Sequence, residues 1–172
     1  MRLTGLVYRA HNPRWAFLPD SGDGAARFGG RFNPPGMPTL YTARRLETAW
    51  LEAQQAFPFK AQPMTMVAYE VDCAGIVDLT DPAERAAHGI DGADLACAWE
   101  DLADRGQIPG SWRIAQRLHQ AGHVGIVVPS FAPGASAIDI NAVFWTWGPM
   151  PPHQVRVIDD AGRLPRNDLS WR

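Results

Sequence analysis

Three short segments hold residue types whose spacing could do chemistry. The first is Tyr8-Arg9, near the end of an opening run that reads as a strand. The second is Gly29-Gly-Arg-Phe-Asn-Pro-Pro-Gly36, which sets Arg31 directly after paired glycines. Glycines let a backbone approach a ligand closely, and a planar guanidinium offers a fork of donors suited to a diphosphate. Asn33 adds amide donors, and Pro34-Pro35 stiffens the exit. The same residues would also make a tight turn whose arginine pairs with a surface carboxylate. The third segment is Leu40-Tyr-Thr-Ala43, followed across a helix start by Glu52. The Tyr41 ring can stack on a flat heterocycle or pack in a core.

Glu52 is the hardest to place. The run after Ala43 reads as a helix to about Phe57, ended by Pro58. Its apolar residues Leu46, Ala49, Trp50, Ala53 and Phe57 form an amphipathic stripe. At 100° per residue Glu52 lies about 120° from the centre of that stripe. Periodicity alone therefore leaves it on the flank, no more inward than Glu47.

The elements that must position these residues are mixed. Residues 3–10, Leu40–Ala43, Met64–Val71, Ile76–Leu79, Val124–Pro129, Asn141–Trp147 and Gln154–Ile158 read as strands. Residues 11–39 are rich in Gly, Pro, Asn and Asp, and a long irregular segment in a compact domain is usually functional. Asp81-Pro-Ala-Glu84 reads as a capping box. A helix is expected near Ala93–Ala103, stopping at Gly106, and Ser111 should cap the next, which runs to Gly122. Strands and helices do not alternate strictly, so the expected class is α+β rather than a doubly wound sheet.

Composition narrows the field. At 172 residues the chain suits one domain, spanning 1–172, and can bury roughly 70% of its unfolded surface without crosslinks. Its net charge of −2 and scattered arginines give no basic stripe for nucleic acid, so direct nucleic-acid binding is not expected. Cys73 and Cys97, far apart, suggest neither a zinc site nor a disulfide framework and fit a reducing cytoplasm. The segment from Met1 to Arg9 lacks the apolar stretch of a signal peptide, and no run approaches the roughly 18 apolar residues of a membrane span. The expected location is cytoplasmic. P-loop, dinucleotide-fold, HExxH and GxSxG patterns are all absent. His119 and His123 flank a glycine that should end their helix, and they read as ordinary helix-end histidines. No metal is expected.

Taken together, GGRFNPPG, YTA, ETAWLE and GIVVPS, in that order, resemble the RES-domain family of bacterial toxins. Asn141 in Asp139-Ile-Asn-Ala-Val-Phe144 is similar to the family's late asparagine before an apolar run. The resemblance extends from Tyr8-Arg9 to Val143; Phe32 stands where relatives often have Trp, and 104–112 matches weakly.

The resemblance implies an ADP-ribosyltransferase-like fold, a split, strongly curved sheet core flanked by helices, with NAD bound in the cleft. NAD would be the substrate. Arg31, Tyr41 and Glu52 would be catalytic; Arg9, Arg31, Phe32, Tyr41, Ser130 and Asn141 would bind the dinucleotide. Arg31 and Arg9 would hold the diphosphate or the adenosine ribose, Tyr41 would stack on nicotinamide, and Glu52 would act on the ribose cation. Ser130 and Asn141 would bond NAD or steady Glu52, or be an ordinary strand-end serine and turn asparagine. The implied partner is an Xre-like helix-turn-helix antitoxin covering the active site. The first expectation for the acceptor of ADP-ribose is a cellular protein; water or phosphate is the alternative. A non-catalytic module, with Trp99, Trp112, Trp145, Trp147 and Trp171 lining an interface, is the reading from another class.

Overall fold

The computed structural model describes residues 1–54 and 62–169. Its strands are β1 (Arg2–His11), β2 (Leu40–Ala43), β3 (Thr65–Ala74), β4 (Ile76–Asp78), β5 (Gly125–Pro129), β6 (Ile140–Phe144) and β7 (His153–Val157). Its helices are α1 (Asp23–Phe28), α2 (Leu46–Gln54), α3 (Pro82–Ala87), α4 (Gly92–Leu95), α5 (Trp99–Asp104) and α6 (Gly110–Gln120). The strands form one sheet in the order β4-β5-β6-β2-β1-β3-β7. Among the described strands only β4 and β5 form a parallel ladder, and the chain from α3 to α6 supplies the crossover that such a pair requires. The α+β expectation holds.

Alternation shows why these residues make strands. In β3, Val67, Tyr69, Val71 and Cys73 all point into the core, while Met66 and Glu70 are exposed. They share one apolar cluster with Leu3 and Val7 of β1 and Phe144 of β6. A second cluster joins Phe32, Leu79, Ile126, Val128 and Trp145 to Ile114, Ala115 and Leu118 of α6. Those three residues lie on one helical face.

The sheet is divided at its middle. β1 pairs with β3 over ten residues, from Arg2↔Ala74 to His11↔Thr65. It meets β2 at a single pair, Tyr8↔Ala43. The half containing β2 and the half containing β1 are thus stitched at one point, and the strands part beyond it. That is the split the resemblance implied.

Three local expectations need correction. The helix expected near 93–103 is broken into α4 and α5, which releases the carbonyls of Leu95 and Cys97 from helical bonding. Ser111 lies inside α6, fully buried, with Pro109 at the cap position. Asp81 caps α3 by accepting from Ala83 N–H, but its own N–H goes to Asp78 O and Glu84 lies beside His88, so no reciprocal capping box forms. Phe57, Pro58 and Trp171 lie outside the described residues.

Candidate active site

A cleft of about 1130 Å³ opens where β1 and β2 part, a little above the roughly 300–1,000 Å³ of small-molecule sites. Arg9 of β1, Tyr41 of β2, Glu52 of α2, Arg31 and Asn141 all border it.

The glycine-rich segment is held from several sides. Gly29 ends α1 with a φ of 76°, a conformation that suits glycine. The Trp112 indole N–H donates to Gly30 O at 2.7 Å, and the Trp145 indole N–H donates to Phe32 O at 3.0 Å. Arg31 leaves this braced turn. Its Nη1 donates to Cys97 O at 2.7 Å and Leu95 O at 3.3 Å, and its guanidinium lies 4.8 Å from the Phe131 ring centroid. Burial lowers its pKa from the ordinary arginine value, opposed by Cys97 and then Glu52; arginine remains cationic at neutral pH. Nε and Nη2 have no hydrogen-bond partner among the described residues. Half of the fork is therefore spent on the α4–α5 break, and the other half is available to an anion.

Asn33 departs from the expectation that its amide serves a ligand. It is fully buried, and Nδ2 donates to the carbonyls of Ala25, Pro34 and Met37. Its Oδ1 accepts from the Tyr41 hydroxyl at 2.7 Å, and that hydroxyl accepts from Phe32 N–H at 2.9 Å. Tyr41 thus presents its ring to the cleft while its oxygen is committed to the loop. Burial raises its pKa, partly opposed by the Phe32 N–H, so the phenol stays neutral and is no general base. Phe32 lines the cleft but is only 2% exposed and packs near Phe131; its N–H donates to the Tyr41 hydroxyl and its carbonyl accepts from the Trp145 indole.

Glu52 faces inward, against the reading from apolar periodicity. The buried face of α2 carries Thr48 and Ala49, while Leu46, counted in the stripe, is 47% exposed. Glu52 stands one turn beyond Thr48 on that face. Its Oε1 accepts from the Ser130 hydroxyl at 2.6 Å and from Asn141 Nδ2 at 2.5 Å. Oε2 has no hydrogen-bond partner among the described residues. One carboxylate oxygen is anchored and the other is available.

Arg9 borders the cleft, but its Nη1 donates to Pro19 O and Ser21 O at 3.1 Å each. It pins the loop before α1. The tryptophans divide by burial: Trp145 is core, Trp147 half-buried, and Trp99 and Trp112 wall the cleft with ring centroids 6.4 Å apart. Sequence reasoning missed Asp139, Phe131 and the Cys97 carbonyl, which show no motif. Among the described residues no group of three or more His, Cys, Asp or Glu is arranged for a metal ion, and no helix is long and apolar enough to cross a membrane.

The chain is similar to known proteins. The family described as RES domain matches residues 6–167. NAD(+) phosphorylase MbcT of Mycobacterium bovis and of two strains of Mycobacterium tuberculosis is 33% identical over 124 residues, 64% of this chain. The match spans 66% of the length of those relatives. A crystal structure of the M. tuberculosis MbcT–MbcA toxin–antitoxin complex superposes with a TM-score of 0.65 at 23% identity, covering 92% of this chain and 84% of that one. That likeness bears on the fold.

Proposed function

Because the chain belongs to the RES-domain family, we propose that it is an NAD-cleaving toxin of a toxin–antitoxin pair, acting as one domain over 1–172. The observation that carries the reading is the state of Glu52. One oxygen is fixed by Ser130 and Asn141 and the other has no partner among the described residues, in the cleft that also holds the available half of Arg31.

The residues fit NAD as substrate. Nε and Nη2 of Arg31 supply charge-assisted donors for a diphosphate. The Tyr41 ring, with its oxygen tied back, offers a face to nicotinamide. Trp99 and Trp112 add apolar surface to the lining of the same cleft. Cleavage breaks the bond between the nicotinamide nitrogen and the ribose anomeric carbon. The electron pair leaves with the nitrogen, so nicotinamide departs neutral and positive charge spreads over the ribose ring. A carboxylate oxygen held against the ribose hydroxyls stabilises that cation more than the ground state, which lowers the barrier. Because Ser130 and Asn141 orient the group before reaction, little reorganisation is required. No step asks for a metal.

The acceptor that closes the reaction is inorganic phosphate in our reading, and the name of the relatives supports it. A phosphate oxygen bonds to the anomeric carbon, giving ADP-ribose phosphate. This moves phosphate ahead of the protein acceptor favoured by sequence alone. The partner is an antitoxin of helix-turn-helix type that covers the cleft; the neighbouring fold was solved in a toxin–antitoxin complex. Purified chain with labelled NAD, phosphate and a cell lysate tests the acceptor. Labelled ADP-ribose phosphate with unlabelled protein supports the reading; labelled protein bands would return protein transfer to first place.

A further inference from the structure

Glu52 is placed by a helix and by two residues at either end of the β5–β6 connection, and something must hold helix and connection together. Asp139 does this. Its Oδ1 accepts from the Thr48 hydroxyl of α2 at 2.6 Å, and Arg45 approaches the same oxygen at 3.6 Å. Its Oδ2 accepts from Ser136 N–H and from the Ser136 hydroxyl, both at 2.8 Å. Its backbone carbonyl accepts from Ser130 N–H at 2.7 Å. One residue thus closes the connection from Ser130 to Asn141 on itself and fastens it to α2. Thr48 is fully buried and lies one turn from Glu52 on the same face.

We infer that Asp139 is a positioning residue for Glu52, fixing the separation between the helix that carries the carboxylate and the two donors, Ser130 and Asn141, that orient it. This rests on the reading of Glu52 as the catalytic carboxylate. The carboxylate is charged in the fold, since bonds from Thr48 first and then Ser136 lower its pKa. A charged acceptor makes the stronger hydrogen bonds that such a clamp needs. Loss of the clamp leaves Arg31 and the Tyr41 ring where they are, and lets Glu52 drift from its donors. A misplacement of about 1 Å can cost about 100-fold in rate.

The test is a double-mutant cycle on the purified chain, reading kcat and KM for nicotinamide release and the melting temperature of each variant. Asp139→Asn removes the charge that holds the loop side, and Thr48→Val removes the hydroxyl from the helix side. Each is expected to lower kcat by about 10- to 100-fold with KM for NAD within about threefold of wild type. The double variant should be no worse than the more damaging single one, because both break one connection. Thr48→Ser, which keeps the hydroxyl, should retain wild-type kcat. If Asp139→Asn fails to fold, Thr48→Val against Thr48→Ser carries the test alone. Unchanged kcat in folded Asp139→Asn and Thr48→Val, or a rise in KM with kcat intact, overturns the inference. Glu52→Ala in the same assay separates the two levels. If it is inactive while Asp139→Asn turns over normally, only the positioning role falls; if it cleaves NAD normally, the proposed function falls as well.

Discussion

The Ser130 hydroxyl donates to Glu52 Oε1 at 2.6 Å across 78 positions of sequence. With Asn141 on the same oxygen, the carboxylate is oriented by two donors from the ends of one loop. Ser130→Ala leaves Asn141 as the remaining support. We expect kcat for NAD cleavage to fall by about tenfold, with the Ser130→Ala and Asn141→Ala double variant lower still. Steady-state nicotinamide release checks this, and unchanged kcat in the double variant contradicts it.

Gly30 has no room for a side chain. A Cβ there would stand 2.6 Å from the Tyr41 hydroxyl oxygen and 2.8 Å from Asn33 Oδ1. Gly30→Ala must therefore part the Tyr41–Asn33 bond inside the loop. A loss of about 1–3 kcal/mol is expected from overpacking and the broken bond, read as a lower denaturant midpoint. Gly24→Ala is the control, because a Cβ at that helical position meets nothing within 4 Å. It should be neutral or slightly stabilising.

Arg31→Lys keeps the charge and loses the fork. A lysine ammonium has no planar face to lay on Phe131, and cannot grip the Cys97 carbonyl while offering a second pair of donors in fixed geometry. KM for NAD should rise by about tenfold or more with a smaller change in kcat, since the contact is made before and during reaction alike. Unaltered KM would remove the diphosphate role from Arg31.

Much of the fold was legible in the chain. The alternation of Val67, Tyr69, Val71 and Cys73 marks β3, and the expected strand Leu40–Ala43 has the same bounds as β2. The glycine pair before Arg31 marked the turn that the structure braces. What was not legible depends on long-range contacts. The inward face of α2 carries Thr48 and Glu52 beside Ala49, so a rule that seeks only apolar residues sets that face too far from Glu52. Ser130 and Asn141 read equally well as turn residues until the fold brought both to one carboxylate oxygen. Asn33 looked like a ligand donor because its three carbonyl partners belong to backbone, which leaves no sequence pattern. The break at Cys97 shows no motif for the same reason: the carbonyl it frees is met by Arg31, 66 positions away.

His11 supplies a pH dependence of stability. Burial first, then Arg9, lowers its pKa below the ordinary 6.5, and its Nε2 is buried without a hydrogen-bond partner. Below 6.5 the unfolded chain therefore binds more protons than the fold. Stability should fall as pH drops from 6.5 toward the folded pKa, and level off beneath it. Asp139, whose pKa is lowered from 3.8, adds a second loss of stability as pH falls below 3.8 toward its folded value. Denaturant titrations at about pH 7.5 and about pH 5.5 should show a drop in wild type that is reduced in His11→Gln.

The central claim is that the Glu52 carboxylate lowers the barrier to breaking the nicotinamide bond of NAD. Its most direct measurement is the rate of nicotinamide release by purified wild type and Glu52→Gln at saturating NAD with phosphate present. Glu52→Gln keeps the shape and can still meet Ser130, but carries no charge to face the ribose cation. The account predicts a rate at least about 100-fold below wild type, with NAD still bound. Equal rates in the two proteins, or no nicotinamide released by wild type, would contradict it.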